Sequence, residues 1–294
     1  MPIAVTGARG TLGREVVAEF SSHGYEVVAI DREPVGRKSG DKDSQQVDSR
    51  VADLTDPAAT QAALRGCDAV LQVAAIPNPR QADGYTIFSN NTCSTYCVLE
   101  AATVLGIRRV VHTSSQSALG SPWAPTLQPL DYIPVDEEHP CRTCEAYGLS
   151  KLVAESICQQ FVHTGGLQVL SLRLPALWPA QEFRERIDSR LNDQLQAAKS
   201  MWAYLDMRDA VRAHRLALEA EWNGHEIANI TTRWAFGAES VPKMLAQWYP
   251  DVSDIREELA ADTAVFDWQK AERLLGFRSR YRWSAERIID MGTE

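Results

Sequence analysis

A glycine-rich segment near the start of the chain constrains the fold more than any other feature. It reads Thr6-Gly7-Ala8-Arg9-Gly10-Thr11-Leu12-Gly13 and lies between a β-rich run at 3–6 and a helical pattern of apolar residues. Gly7 permits a tight turn, Gly10 lets the backbone approach a pyrophosphate, and Gly13 lets the helix pack closely on the strand. The free N–H groups at the start of the helix attract a phosphate. This context predicts the first βαβ unit of a dinucleotide-binding fold.

Short apolar runs alternate with longer helical patterns over the first 175 residues. Strands are predicted over 3–6, 25–30, 69–73, 109–113 and 168–172, and helices behind Leu12 and over 57–64, 85–105 and 145–161. This alternation predicts an α/β fold with a doubly wound parallel sheet and right-handed crossovers, which is a Rossmann fold. Residues 1–175 are therefore interpreted as a dinucleotide-binding Rossmann domain. The polar stretch 32–46 is interpreted as a surface loop.

The pattern changes after Pro175. Residues 178–204 are charged, contain tryptophan and are weakly patterned. Helices are predicted over 209–220, 239–248 and 267–275, with a strand over 226–230. We interpret 176–294 as a small substrate-binding lobe, some of whose elements return to the Rossmann core.

Composition and charge exclude several classes of protein. The net charge of the 294 residues is -9, which disfavours nucleic acid as a main partner. The apolar runs are far shorter than the ~20 residues of a membrane-spanning helix. The chain opens on a strand, so we expect no signal peptide and a cytoplasmic location.

Six cysteines are present, and two of them, Cys141 and Cys144, have CxxC spacing. Free, reduced thiols are the favoured interpretation, and a zinc or redox role is the alternative. No metal site is predicted.

An acidic residue ends the second predicted strand. Asp31 follows Gly13 by eighteen residues, where a carboxylate accepts hydrogen bonds from the ribose of an adenosine. It would repel a 2′-phosphate, which favours NAD. Arg32 and Arg9 are cations able to pair with such a phosphate, so NADP stays open.

Tyr147-Gly148-Leu149-Ser150-Lys151 is the second chemical signal. Residues four apart share a helix face, so the phenol and the ammonium project together. A nearby ammonium favours the phenolate and lowers a pKa that is ordinarily near 10. Tyr147 could then exchange a proton with a substrate hydroxyl while hydride moves to or from a nicotinamide. Taken alone, the spacing is also typical of a surface pair.

The third signal is Thr113-Ser114-Ser115-Gln116-Ser117, at the end of a predicted strand. Ligands of open α/β sheets bind outside the carboxyl ends of the strands, so a hydroxyl there can hold the reacting oxygen. A strand-end serine is otherwise a turn former.

These residues together resemble the extended short-chain dehydrogenase/reductase family, also called the NAD-dependent epimerase/dehydratase family. The resemblance covers most of the chain. It rests on the glycine segment, Asp31, Asp53-Leu54, Val73-Ala74-Ala75, Asn91 ahead of Val98 to Ala102, Ser114-Ser115, Tyr147 to Lys151, Leu172-Arg173-Leu174-Pro175, and Ala271 to Phe277.

The resemblance implies a role for each matching residue. Tyr147 would be the acid/base, Ser115 rather than Ser114 would orient the substrate oxygen, Lys151 would bind the nicotinamide ribose, and Asn91 would support Lys151 or a proton path. The implied cofactor contacts are Gly7, Arg9, Gly10, Thr11, Leu12, Gly13, Asp31, Arg32, Asp53, Leu54, Val73, Ala74, Ala75, Asn91, Thr113, Tyr147, Lys151 and Pro175. Asp53 and Leu54 would flank the adenine.

Departures from the family pattern narrow the chemistry. Dehydratase members carry an acid pair where this chain has Gln116 and Ser117, so elimination is disfavoured. Only 28 residues separate Pro175 from Tyr204, which is short for gripping a nucleotide diphosphate. The expected substrate residues are Ile76, Asn78, Arg80, Ser115, Gln116, Ser117, Arg173 and Trp178. Arg80 or Arg173 would pair with a substrate carboxylate.

The favoured function is an NAD(P)-dependent dehydrogenase that acts on a free sugar, a uronate or a similar secondary alcohol. The alternatives are a sugar epimerase that retains its NAD and a non-enzymatic dinucleotide sensor. The family resemblance also implies a homodimer through the helices at 84–105 and 145–163, with Tyr96 and Val153 in the interface.

Overall fold

The structure is a computed structural model that describes residues 1–35, 47–237, 239–284 and 286–292. In chain order its strands are β1 Pro2–Thr6, β2 Glu26–Asp31, β3 Asp48–Val51, β4 Ala69–Gln72, β5 Arg109–Ser115, β6 Tyr132–Ile133, β7 Gln168–Leu174, β8 Leu177–Trp178, β9 Leu205–Asp206, β10 His225–Asn229, β11 Asp254–Ile255, β12 Tyr281–Trp283 and β13 Ile288–Asp290. Its α-helices are α1 Thr11–Ser22, α2 Pro57–Leu64, α3 Gly84–Leu105, α4 Ala146–Gly165, α5 Phe183–Asn192, α6 Gln194–Lys199, α7 Met207–Glu219, α8 Val241–Trp248 and α9 Gln269–Leu275.

The centre of the fold is a parallel sheet in the order β10-β7-β5-β4-β1-β2-β3, formed by the described residues. The strand order reverses at β1, which pairs with β2 on one side and β4 on the other. A crevice opens at such a reversal, outside the carboxyl ends of the strands. The Rossmann fold predicted from the sequence is thereby confirmed.

Both faces of the sheet are buried, which explains the continuous apolar runs of its central strands. Ile3 and Val5 of β1 point to one face and pack with residues of α1 and α7. Ala4 points to the other face, where apolar residues of α2, α3 and α4 cover the sheet. None of the helices within the described residues has the length and apolar character that crossing a bilayer requires.

The C-terminal region contributes both to the sheet and to a separate lobe. β10 extends the sheet beyond β7, and α7 packs against α1. The lobe has its own apolar clusters, one of which is aromatic: Trp178 stacks on Tyr204 with ring centroids 4.6 Å apart, and Trp283 lies against both rings.

Nine elements of the described chain were not predicted: the strands β3, β6, β8, β9, β11, β12 and β13, and the helices α5 and α6. β3 is a four-residue edge strand whose polar sequence, Asp48–Val51, carries no apolar alternation. α5 and α6 lie in the stretch interpreted as weakly patterned, and α5 buries only Ile187. Most of the predicted polar loop at 32–46 lies outside the described residues.

Candidate active site

The glycine segment forms the turn between β1 and α1. Gly7 has a φ of +66°, a conformation that residues with a Cβ rarely adopt, and an added Cβ would lie 2.7 Å from the Cα of Ala74. A Cβ on Gly13 would overlap the carbonyl oxygen of Gly7. The glycine segment therefore packs closely against the start of α1 and against Ala74. Gly10, the N-cap of α1, leaves the backbone there without a side chain.

Asp31 at the end of β2 lies beside this turn. Its carboxylate accepts hydrogen bonds from the backbone N–H groups of Arg9 at 2.9 Å and Arg32 at 2.8 Å. Both cations are engaged elsewhere by their side chains: Arg9 pairs with Glu33, while Arg32 bonds Asn90 and lies 3.6 Å from Asp53. The carboxylate of Asp31 therefore lies beside the glycine turn, where the sequence predicts the adenosine ribose, and other residues engage the side chains of Arg9 and Arg32.

A cleft of about 1000 Å³ runs from this turn to the C-terminal lobe. It brings together almost all of the residues expected at the site. Of the predicted cofactor and substrate residues, its walls contain Gly7, Arg9, Gly10, Thr11, Leu12, Gly13, Asp31, Arg32, Leu54, Val73, Ala74, Ala75, Ile76, Asn78, Arg80, Thr113, Ser115, Gln116, Ser117, Tyr147, Lys151, Pro175 and Trp178.

The first turn of α4 is held in a fixed position on the cleft wall. Glu145 caps the helix, and its carboxylate accepts hydrogen bonds from the N–H groups of Tyr147 and Gly148, each at 2.6 Å. A Cβ on Gly148 would overlap the carbonyl oxygen of Ser117, in the 3-10 turn after β5. This close packing brings Tyr147 against Ser115.

Burial controls the ionisation of the tyrosine and lysine pair. Burial raises the pKa of Tyr147 to about 12, although the Ser115 hydroxyl acts to lower it, so the phenol is neutral at pH 7. Burial also lowers the pKa of Lys151 to about 8, and the carboxylate of Glu155 opposes that shift. The expectation that Lys151 lowers the phenol pKa below its usual value is therefore wrong for the protein alone, because desolvation of the buried ring is the larger effect.

Lys151 is anchored rather than free. Its Nζ donates to the carbonyl oxygen of Thr113 at 2.7 Å and lies 5.9 Å from the centroid of the Tyr147 ring. The positive charge thus lies beside the aromatic ring, with the length of the side chain buried along β5.

The two serines that end β5 have different surroundings. The hydroxyl of Ser114 donates to Glu155 at 2.7 Å. The hydroxyl of Ser115 accepts from the N–H of Ser117 at 3.1 Å and interacts with the phenol of Tyr147. Ser115 is therefore the hydroxyl beside the phenol.

Arg173 does not reach the cleft, which corrects the expectation that it binds substrate. Its guanidinium makes two parallel hydrogen bonds to the carboxylate of Glu155, at 2.9 and 2.8 Å, and both side chains are only 3% exposed. The side chain points into the protein because β7 lies inside the sheet and α4 covers that face.

Asn91 and Asp53 also lie off the cleft wall. Asn91 exchanges hydrogen bonds with the backbone of Ile76 and donates to Ser150, so it positions the loop after β4 and does not contact Lys151. Asp53 accepts from the N–H and hydroxyl of Thr55 in the turn before α2. Only Leu54 of the predicted adenine-flanking pair lines the cleft.

The lobe contributes cleft residues that sequence reasoning missed. They come from the segment after β7 and from α5 and α6, whose charged sequences were interpreted as weakly patterned. The only signal was the presence of several arginines close to Trp178. These additional wall residues include Glu182, Arg186, Ser189, Arg190, Asp193, Gln196 and Ser200, and Trp123 joins them from the segment between β5 and β6.

A buried histidine supports the strand that carries the site. His214 of α7 is fully buried, with Nε2 2.9 Å from the hydroxyl of Thr113 and Nδ1 2.7 Å from the carbonyl of Ala210. Burial lowers the pKa of this imidazole from 6.5 to about 4. The histidine is therefore neutral in the folded protein under conditions in which the unfolded chain binds a proton.

This difference predicts acid sensitivity. Between pH 6.5 and pH 4 the unfolded chain binds more protons at His214, so the free energy of unfolding falls as the pH falls. From pH 7 to pH 5 the contribution is about 2 kcal/mol. Urea unfolding at pH 7 and at pH 5 measures how much unfolding free energy is lost between the two pH values. The loss should be smaller in His214→Gln than in the control His163→Gln, by about 2 kcal/mol. His163 is the control because it is exposed at the end of α4. Equal losses in both variants would refute the assignment.

The cysteines occupy separate positions as free thiols. Cys141 and Cys144 bond different carbonyl oxygens, those of His139 and Gly120, and burial raises the pKa of both thiols. Among the described residues, no three His, Cys, Asp or Glu side chains converge in an arrangement suited to a metal ion.

Comparison with known proteins gives a consistent result. The profile of the NAD-dependent epimerase/dehydratase family matches residues 3–231. L-arabinose 1-dehydrogenase (NAD(P)(+)) of Haloferax volcanii is 31% identical over 223 residues, which cover 74% of this chain and 82% of that protein. NAD-dependent glucose-6-phosphate dehydrogenase of the same organism is 27% identical over 233 residues, covering 76% and 82%.

A solved structure supports the same relationship across the whole chain. A short-chain dehydrogenase/reductase superfamily protein from Agrobacterium tumefaciens, crystallised with bound NAD, superposes with a TM-score of 0.67 at 25% identity. The superposition covers 98% of this chain and 94% of that one.

Proposed function

Because this chain belongs to the NAD-dependent epimerase/dehydratase family, we propose that it is a dehydrogenase which oxidises a secondary hydroxyl of a small sugar or uronate. Members of this family are NAD(P)-dependent dehydrogenases, reductases or epimerases, and the chain is an enzyme of that type. The finer claims, which are the net oxidation, the small substrate and the role of Tyr147, rest on the residues of the cleft.

The cleft fits a nicotinamide dinucleotide. The turn at Gly7 to Gly13 leaves backbone without side chains at the N-terminus of α1, where a pyrophosphate binds. Asp31 would accept hydrogen bonds from the adenosine ribose, and Lys151 would donate to the nicotinamide ribose. Bound NAD supplies the acceptor for the two electrons and the C–H hydrogen that leave the substrate carbon.

The chain's own residues manage the proton. Ser115 would hold the substrate hydroxyl beside the phenol, and the phenolate form of Tyr147 would take the hydroxyl proton as the carbon–oxygen double bond forms. The buried phenol is neutral by itself, so the positive charges around it, that of Lys151 and that of the oxidised nicotinamide, would favour the phenolate. In the reverse direction the neutral phenol would donate the proton.

The observation that carries the proposal is the convergence of Ser115, Tyr147 and Lys151 on a cleft that begins at the glycine turn. The test is incubation of the purified protein with NAD or NADP and a panel of neutral sugars, uronates and secondary alcohols. We expect the absorbance of the reduced nicotinamide to increase with one substrate class. Interconversion of sugars without net reduction of the cofactor would instead identify an epimerase and reject the proposal.

Asp31 determines the cofactor preference in this proposal. Replacing it with Asn removes the charge that repels a 2′-phosphate and weakens the hydrogen bonds to the ribose. We expect the ratio of kcat/KM for NAD to that for NADP to fall by roughly 10- to 100-fold. Glu26→Gln is the matched control, because Glu26 is exposed at the opposite end of the same strand. An unchanged ratio in Asp31→Asn would contradict the role given to this carboxylate.

A homodimer is part of the proposal. α3 and α4 lie side by side on one face of the sheet, and Tyr85, Tyr96 and Leu149 on them are exposed. Sedimentation equilibrium is expected to give twice the chain mass, and Tyr96→Glu to shift it toward the monomer.

A further inference from the structure

Arg190 is held rigidly on the wall of the cleft. It lies near the end of α5 and is half-buried, and its Nη1 donates to the hydroxyl of Ser200 at 3.1 Å and to the carbonyl oxygen of Gln196 at 3.3 Å. Its guanidinium carbon lies 5.7 Å from the centroid of the Trp178 ring. These contacts orient the guanidinium before any ligand binds, which reduces the entropy lost on binding.

The opposite edge of this guanidinium, formed by Nε and Nη2, is not used by any residue that the structure describes. Nε and Nη2 of Arg190 have no acceptor within the described part of the chain. Elsewhere in the protein the same edge holds carboxylates: Arg173 uses it for Glu155 and Arg208 for Asp206. That edge matches a carboxylate or a phosphate with two parallel hydrogen bonds.

Among the described residues, no carboxylate forms an ion pair with Arg190. Arg186, which also lines the cleft, is paired with Glu182 at 2.6 Å. Asp193 caps α6 by accepting from the N–H of Gln196 and makes no ion pair with Arg190. Burial and the charge of Arg186 lower the pKa of Arg190, while Asp193 acts to raise it. A cation in this position is stabilised when an anion enters the cleft.

Two further donors on the cleft wall lack acceptors. The side-chain nitrogens of Gln116 and Trp178 are buried and have no hydrogen-bond partner among the described residues. The substrate end of the cleft therefore combines donors that lack acceptors with a guanidinium edge that no described carboxylate pairs with. Buried donors are ordinarily satisfied, so a ligand rich in acceptor oxygens is the chemistry that completes them.

We propose that Arg190 binds the anionic group, a carboxylate or a phosphate, of a monosaccharide substrate through its Nε–Nη2 edge. This inference rests on the proposed dehydrogenase function and names the substrate class of the same cleft. Arg80, the other arginine expected to bind a carboxylate, is exposed and contacts the ring of Trp123 at 5.3 Å. It lacks the hydrogen bonds that orient Arg190, so Arg190 is the residue that selects acidic sugars.

The kinetic test compares matched sugars. With NAD as cofactor, kcat/KM is measured for D-glucose, D-glucuronate and D-glucose 6-phosphate, and for D-galactose and D-galacturonate. We expect the native protein to prefer one acidic form, and whether that form is the carboxylate or the phosphate identifies the anion. Arg190→Gln should lose roughly 10- to 100-fold in kcat/KM for the acidic sugar and change little for the neutral one. Arg184→Gln is the control, since Arg184 is exposed on the same helix and does not line the cleft.

A binding measurement separates this inference from the proposed function. Titration calorimetry of D-glucuronate and D-glucose 6-phosphate into protein saturated with NADH needs no turnover. Binding that is lost in Arg190→Gln and kept in Arg184→Gln supports the anion site even if no sugar is oxidised, in which case only the dehydrogenase proposal fails. Equal use of neutral and acidic sugars, or loss of acid preference in Arg80→Gln but not in Arg190→Gln, would overturn the inference.

Discussion

Tyr147→Phe is expected to reduce kcat by about 10²- to 10⁴-fold, the usual contribution of a positioned acid/base group. The substitution removes one oxygen and leaves the ring against Lys151, so the shape of the cleft wall is preserved. Affinity for NAD should change by less than about threefold, because the phenolic oxygen acts on the reacting bond and not on the dinucleotide. Steady-state kinetics with the best sugar of the panel and fluorescence titration of NADH measure the two quantities.

Tyr85→Phe is the control for that substitution, since Tyr85 is 82% exposed at the start of α3. It makes the same chemical change at an exposed position that does not line the cleft. Full activity of Tyr147→Phe, or an equal loss in both variants, would show that the phenol does not move the proton. In the native protein the rate of oxidation should also rise with pH, because the buried phenol must lose its proton before it can accept one.

Arg173→Met is expected to lower the free energy of unfolding by about 3–5 kcal/mol, the usual cost of leaving one member of a buried ion pair alone. Glu155 would remain buried, hydrogen-bonded to Ser114 but without its cation. Urea unfolding at pH 7 measures the change. If Arg173 bound the substrate instead, Arg173→Met would raise KM and leave the free energy of unfolding almost unchanged.

The double variant Arg173→Met with Glu155→Gln provides the control. It removes both charges and keeps an acceptor for the hydroxyl of Ser114, so most of the lost stability should return. If the ion pair did not stabilise the fold, the effects of the two substitutions on the free energy of unfolding would simply add. In that case the buried position of Arg173 would need another explanation.

The parts of the site that lie within one element were accessible from the sequence. The glycine spacing predicted the turn and the helix start because the φ of Gly7 and the approach of Gly13 to the Gly7 carbonyl are local requirements. The four-residue spacing of Tyr147 and Lys151 placed both on one face of α4, since helix periodicity is local as well. Asp31 and Ser115 were found because strand ends of a parallel sheet meet at one edge.

The errors and omissions involve partners that are distant in the chain. Arg173 was assigned to the substrate because its sequence position at the end of β7 does not reveal that Glu155, on α4, accepts both of its hydrogen bonds. Arg190 was missed because α5 buries only Ile187 and shows little amphipathic pattern. The proposal for Arg190 depends on its hydrogen bonds to Gln196 and Ser200 and on the lack of a paired carboxylate among the described residues.

The amino-acid sequence by itself determined the class of fold, the glycine turn before α1 and the placement of Tyr147 and Lys151 on one helix face, because backbone sterics and helix or strand periodicity act over a few residues. Only the tertiary structure decided which charges are paired and which face the cleft. Desolvation and ion pairing depend on every group packed around a side chain, and these groups come from remote parts of the chain. That is why Tyr147 has a raised pKa despite the neighbouring Lys151.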